Sequence, residues 1–295
     1  MSSFTTLPTI LDGKYRLIRP AGSGGTANVF LAEEIATSKP VAVKVLKRHL
    51  LSDADMAARF AREAAALRYI RHPNVIGLIG FEDAPEGLLL LLEWVDGQRL
   101  DEILAQGVMP SPDALTIVTQ LASALAAIHA QEIVHRDLKP ENVMIVESPN
   151  GPVARLLAFG IARFTSPHLA PGTFVTNQGI ASGSPTYLSP EQARGESPDT
   201  TTDVYSWGVV AYEMLTGRPP FTGGTDFEIF DRKLHQDAPV PIPVDRTLRD
   251  HFIINVIRQS LKRDRRKRPA DGAELLKLLQ FTGDERPMAS WWRSK

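Results

Sequence analysis

The chain contains no cysteine, which excludes disulfide cross-links and thiol catalysis and fits a reducing, cytoplasmic setting. Long hydrophobic runs are missing too. The longest, Leu88–Leu92, falls far short of the roughly 18 apolar residues of a spanning helix, so no membrane segment is expected. The opening stretch MSSFTTLPTILDGKY lacks the basic start and apolar core of a secretion signal. Neither sign of charge dominates: 33 basic and 34 acidic residues leave a net charge of −1, which offers no general electrostatic reason to bind nucleic acid or an anionic membrane. The 7 histidines are scattered, without HExxH spacing, so no zinc site is expected. What remains is 295 residues, 43% hydrophobic and 23% charged, enough for one large core or two moderate ones, and two lobes are expected.

The most informative stretch is Ile133–Ile145, IVHRDLKPENVMI. Two apolar runs bracket His135, Arg136, Asp137, Lys139 and Asn142, so several polar groups converge on one short segment. Such a set suits phosphoryl transfer. The carboxylate of Asp137 can orient an attacking hydroxyl and take its proton, while Lys139 can neutralise charge building on the transferred phosphate. Asn142 offers an amide oxygen, a ligand type that Mg²⁺ favours. A polar turn could carry HRD by chance, but not the full HRDLKPEN string. That string resembles the catalytic loop of eukaryotic-type (Hanks-type) Ser/Thr protein kinases.

Upstream, Tyr15–Ala21 and Asn28–Glu33 read as strands around GSGGTA, and Val41–Lys47 alternates as a third, which predicts a small antiparallel sheet. Gly22 and Gly24 would let backbone amides approach phosphates, although a flexible hairpin turn has the same composition. Lys44 lies on the third strand, in VAVK. Ser52 and Asp55 make a capping-box-like start for a helix carrying Phe60, Ala64 and Leu67 at helical spacing, with Glu63 beside that stripe. Glu63 can then face the sheet and orient Lys44, an arrangement that resembles the lysine–glutamate pair of a kinase αC helix. RHPNVIGLIGF and GLLLLLEWVDG resemble the next two strands and the hinge. The resemblance implies nucleotide contacts at Ala21, Gly22, Ser23, Gly24, Gly25, Thr26, Ala27 and Val29, at Ala42 and Lys44, at Leu92, Glu93 and Val95, and at Met144. It departs from GxGxxG at Ala27, a small residue that should still fit.

Downstream, Pro112–Gln131 has a helical period, Val143–Val146 and Ala154–Leu157 read as a hairpin, and Arg163–Ser182 as a mobile loop. GSPTYLSPEQARG resembles the substrate-docking segment of Ser/Thr kinases, with Ser184 at the usual threonine position. DVYSWGVVAYEMLTG is apolar on nearly every face and predicts a buried helix. The resemblance gives structural roles to Arg136, Glu191, Asp203 and Arg268, with Arg268 paired to Glu191 and Asp203 accepting from catalytic-loop backbone. The KRDRRKR run at Lys262–Arg268 is therefore expected to be a solvated inter-helix loop, not a nucleic-acid patch.

One position breaks the pattern. Where the family has DFG, this chain reads Ala158-Phe159-Gly160, and a methyl group cannot ligate a metal. Losing that ligand leaves Asn142 as the single metal ligand. Removing about 4 kcal/mol of transition-state stabilisation would slow the reaction roughly a thousandfold. Because Lys44, Glu63, Asp137, Lys139 and Asn142 all remain, an engineered Asp-to-Ala change in an active parent is the favoured explanation. A natural pseudokinase acting as a nucleotide-binding scaffold is the alternative.

The resemblance, closest to bacterial Ser/Thr kinases, implies an α+β bilobal fold. Residues 1–14 would be an extension, 15–94 a β-rich lobe with helix αC, 95–282 a mainly helical lobe, and 283–295 a tail. It further implies ATP and Mg²⁺ as cofactors, protein Ser/Thr as substrates, self-association for autophosphorylation, and phosphorylation at Thr176 or Thr173. A small-molecule kinase would lack the docking segment, and a DNA-binding regulator would need a basic face beyond one run.

Overall fold

In a computed structural model, residues 10–157, 163–164, 184–245 and 252–280 are described. Six strands form one antiparallel sheet: β1 (Ile10–Leu11), β2 (Tyr15–Ser23), β3 (Ala27–Glu34), β4 (Lys39–Leu46), β5 (Leu78–Ala84) and β6 (Gly87–Glu93). Their order is β1-β2-β3-β4-β6-β5. The period of two sorts β4 between two packed faces. Val41, Val43 and Val45 join Leu89 and Leu91 in a cluster on one face, while Ala42 and Leu46 join Leu90 and Leu92 in the main core on the other. Lys44, two residues from Ala42, is thereby carried to the main-core side of the sheet.

Helix α1 (Ala54–Tyr69) packs on that side and buries Phe60, Glu63, Ala64 and Leu67. Its N-cap is Asp53, whose carboxylate accepts from the amides of Asp55 and Met56 at 3.0 and 3.1 Å. This corrects the start expected at Ser52. Asp53 holds the extended backbone that lets a cap side chain reach back to the first turn, and a carboxylate there also faces the positive end of the helix dipole.

The second lobe is mainly helical. After β7 (Gln98–Arg99) and α2 (Leu100–Gln106) come α3 (Ser111–His129), β8 (Ile133–Val134), β9 (Val143–Val146) and β10 (Val153–Leu156). β11 (Arg163–Phe164), α4 (Pro190–Ala193), α5 (Thr200–Thr216), α6 (Asp226–His235), α7 (Phe252–Ser260) and α8 (Gly272–Gln280) follow. Strands β7, β9 and β10 form a second small sheet.

Helix α3 is, by length and composition, long and apolar enough to cross a bilayer. Polar residues interrupt it, so it contains no long continuous apolar run. Most of its apolar side chains are buried in the main core, against α5 and α8. Trp207 of α5 is fully buried and donates its indole N–H to the Val118 carbonyl at 2.8 Å. Burying a side chain of that size stabilises by about 3 kcal/mol, and the hydrogen bond removes the cost of a dry donor. The first residue of α8 has to be glycine, because any Cβ on Gly272 would collide with α3 backbone at Leu125 and Ala126.

Candidate active site

The phosphate-loop candidates lie in the hairpin of β2 and β3. Gly22 and Ser23 are still paired with Val29 and Asn28, so the open turn is only Gly24, Gly25 and Thr26. It is closed by the Gly24 amide on the Ala27 carbonyl at 2.9 Å. Nothing lies within 4 Å of where a Cβ on Gly22 or Gly25 would sit, so the backbone there is open to a ligand. Ala27, at the departure from GxGxxG, is 3% exposed and its methyl belongs to the core. Ala21 is exposed at the outer end of β2.

Lys44 sits in a cross-strand row with Val29 and Leu90. Its Nζ lies 2.7 and 2.6 Å from the two carboxylate oxygens of Glu63, whose side chain is 2% exposed. The bidentate contact holds the lysine near the Phe60 ring, 5.8 Å from its centroid. A long, flexible cation is thereby given one position, as triphosphate binding requires.

At the hinge, Ala42 pairs with Leu92, both nearly buried, and Val95 is half-buried behind them. The Glu93 side chain turns away from this pocket. It accepts from the Gly77 amide at 3.0 Å and pairs with Arg155, so the side chain is taken, and the Glu93 amide itself donates to the Gly77 carbonyl at 3.0 Å. Met144 lies on β9 opposite Arg99. Gly97 fits tightly there, since any Cβ would run into the Ile145 carbonyl.

In the catalytic loop, Asp137 Oδ1 is 3.1 Å from Lys139 Nζ. The Asn142 amide N–H group donates to the Asp137 carbonyl at 2.7 Å and to its carboxylate at 3.0 Å. With its nitrogen so engaged, Asn142 turns its oxygen the other way, where it accepts from none of the described residues and suits a hard cation. Arg136, beside them, adopts a left-handed φ of 71°, a conformation that costs a bulky side chain about 1 kcal/mol or more. The surrounding contacts impose it. Asp203, on α5, accepts from the His135 and Arg136 amides at 2.7 Å each, and Gln192 donates to the Arg136 carbonyl at 3.1 Å.

Asp203 is fully buried. Burial would raise its carboxyl, but the His129 hydrogen bond at 2.9 Å and the loop amides outweigh it and hold the group below the usual carboxylate range. His129 accepts from the Gly272 amide on Nδ1 at 2.9 Å, so Nε2 carries the proton given to Asp203.

The docking-segment residues described begin at Ser184, half-buried in a turn closed by the Tyr187 amide on its carbonyl at 3.0 Å. Glu191, buried, is held by Arg268 through bonds of 2.7 and 2.9 Å, with Thr202 donating a third at 2.9 Å. Desolvation pushes this carboxyl up, yet the guanidinium keeps it below its ordinary value. The other arginines of the basic run are also engaged: Arg263 with Asp237, Arg265 with Asp199 and Glu196, Arg266 with Asp264. Ala158, Thr173 and Thr176 lie outside the described residues.

Two contributors escaped sequence reasoning. Gln192 completes a capping box with Ser189, a signature readable in SPEQ. Lys233, with no exposed surface, donates to the Thr186 and Leu188 carbonyls at 2.6 Å each. It is placed on the inward stripe of α6 one turn after Ile229, which is where an apolar residue is expected.

The model of the protein kinase domain matches residues 15–280. The chain is 43% identical over 274 residues to the serine/threonine-protein kinase pkn2 of Myxococcus xanthus, covering 92% of this chain and 32% of the relative. It is 37% identical over 230 residues to PrkC of Bacillus subtilis, at 78% and 34% coverage, and 39% identical over 241 residues to PknB of Mycobacterium leprae, at 80% and 38%. It thus spans about a third of the length of these relatives. With a part-buried lysine–glutamate pair on the β-rich lobe, an HRDLKPEN loop on the helical lobe and a match over nearly its whole length, the chain belongs to the protein kinase domain family.

Proposed function

We propose that the chain is the kinase domain of a Ser/Thr protein kinase, with ATP held between residues 15–94 and 95–282, and that Ala158 impairs phosphoryl transfer in this form. The observation carrying it is the Asp137–Lys139–Asn142 cluster, whose carboxylate already touches both the ammonium and the amide. Asp137 would orient a substrate hydroxyl and accept its proton, and Lys139 beside it would meet charge on the phosphoryl oxygens. Lys44, fixed by Glu63, would hold the nucleotide phosphates. Bound Mg²⁺ supplies charge neutralisation between the phosphates. Asn142 fits that ion as an oxygen ligand, whereas Ala158 offers no oxygen where the family places its second ligand. The serine/threonine names of the relatives and the HRDLKPEN lysine favour hydroxyl substrates on Ser or Thr.

The test compares the chain with its Ala158→Asp variant on a generic protein substrate, beside calorimetry of ATP with and without Mg²⁺. The expected outcome is nucleotide binding by both and phosphate transfer raised about a thousandfold in the variant. An Ala158→Asp protein that binds ATP yet transfers nothing would favour the nucleotide-binding scaffold. Absence of nucleotide binding in both would refute the site.

A further inference from the structure

A cleft of about 820 Å³ lies behind the hinge, between α1 and the outermost strand of the six-stranded sheet. Residues Gly77 to Phe81 line it consecutively. Because side chains alternate between the faces of a strand, an unbroken run of lining residues means that the cleft follows the free edge of β5. That strand is terminal in the sheet and, among the described residues, pairs only with β6, so one row of its amides and carbonyls faces outward without a strand partner there. Two apolar side chains stand on it, Ile79 at 51% and Phe81 at 38% exposure. On the opposite wall α1 contributes Ala61, Ala64 and Ala65 beside Leu67 and Arg68, and the three small alanine side chains leave width for a second chain.

The charge lining the cleft is one-sided. Arg68, Arg71 and Arg155 border it, and its single acidic residue, Glu93, is already taken by Arg155 and the Gly77 amide. Arg68 and Arg71 are exposed and have no carboxylate partner among the described residues. The Nε–H of Arg155 is shielded from solvent without an acceptor among the described residues. His72, the remaining titratable group, is bonded to Ser123 and the Asn74 amide and is kept from charging by burial and by Arg155.

We propose that this cleft docks an extended acidic segment of a partner protein, which adds to β5 as a further strand, sets carboxylates on Arg68 and Arg71, and covers Ile79 and Phe81 with an apolar side chain. Main-chain hydrogen bonds would supply sequence-independent affinity, and the arginines and exposed apolar pair the selectivity.

The experiment reads binding alone and stands apart from phosphoryl transfer. A fluorescein-labelled nonapeptide, Glu-Asp-Glu-Ile-Asp-Phe-Glu-Asp-Glu, is titrated with the chain by anisotropy at low salt. Saturable binding is expected. It should weaken at least about tenfold in the Arg68→Glu/Arg71→Glu variant, and also for a peptide N-methylated at alternate residues, which loses strand-type donors. Both arginines are exposed, so the variant should keep its circular dichroism spectrum, and Arg68→Gln/Arg71→Gln gives a milder second comparison. Absence of saturation, equal binding of the peptide with Gln for every acid, or undiminished binding by the charge-reversed chain would overturn the proposal. Sedimentation showing a dimer that charge reversal dissolves would make a second copy the occupant and overturn it equally.

Discussion

Replacing Arg268 by Met tests the link between the docking segment and the helical core. The Arg268 side chain has no exposed surface. Besides its two bonds to Glu191, it donates to the carbonyls of Lys262, Thr201 and Arg263 at 2.7, 3.0 and 3.2 Å, and stacks over Tyr205 at 4.8 Å. Methionine keeps much of the volume but strands a buried carboxylate and three carbonyls. Removing one partner of a buried pair costs about 3–5 kcal/mol, a large share of the roughly 5–15 kcal/mol that holds a domain together.

The pH dependence separates this cause from simple misfit. In the intact chain the folded Glu191 pKa lies below its unfolded value, so its contribution is complete above the unfolded pKa of about 4.3 and is lost only as pH falls through the folded one. From pH 7.5 to 5.5 it should be flat. In the variant the buried carboxyl has lost its cation, so its folded pKa is expected above the unfolded one. The folded state then takes up a proton that the unfolded state does not, and the penalty shrinks by up to about 1.4 kcal/mol per pH unit as pH falls. Urea unfolding followed by circular dichroism at both pH values measures this. A penalty below about 1 kcal/mol at pH 7.5, or one unchanged at pH 5.5, would refute the assignment, and Glu191→Gln added to Arg268→Met should recover part of the loss.

Lys44→Met should leave the fold intact and weaken ATP by about tenfold or more in calorimetry; unchanged affinity would move the nucleotide away from β4. Asp203→Asn turns one acceptor into a donor facing the catalytic-loop amides, so hydrogen exchange at His135 and Arg136 should quicken and stability fall by about 2 kcal/mol. Unaltered exchange there would show that other contacts hold the loop. Gly97→Ala should lower the melting temperature by several degrees, at a cost of about 2 kcal/mol from the collision with the Ile145 carbonyl, and an unchanged melting curve would show that the hinge has slack. In the Ala158→Asp protein, mass spectrometry should find phosphate on Thr176 or Thr173, and alanine at both should reduce its activity. Full activity in that double variant would exclude loop phosphorylation as the control.

What the sequence by itself determined is local. A period of two wrote β4, an unbroken apolar run wrote β6, a period near 3.6 wrote α1 and α3, and the polar cluster between apolar runs marked residues 135–142 as the place of chemistry. Each is set by residues a few positions apart, where backbone geometry alone decides which side chains share a face. The Lys44–Glu63 pair, 19 residues apart, was legible because both faces could be read separately and one short connection brings them together.

Tertiary structure decided what depends on distant partners. The charge on Asp203 is tolerable only because His129 and the His135 amide, 74 and 68 residues away, arrive at its oxygens. No period or propensity encodes that meeting; the family resemblance suggested the loop amides as donors, but not His129. Lys233 is the clearest case, since a lysine on the inward stripe of α6 contradicts the binary pattern until the Thr186 and Leu188 carbonyls are seen waiting for it. The same holds for the free edge of β5. A strand's sequence states that it pairs, but its position at the end of the sheet follows from chain topology, because burial rewards the contact and does not specify which neighbour makes it.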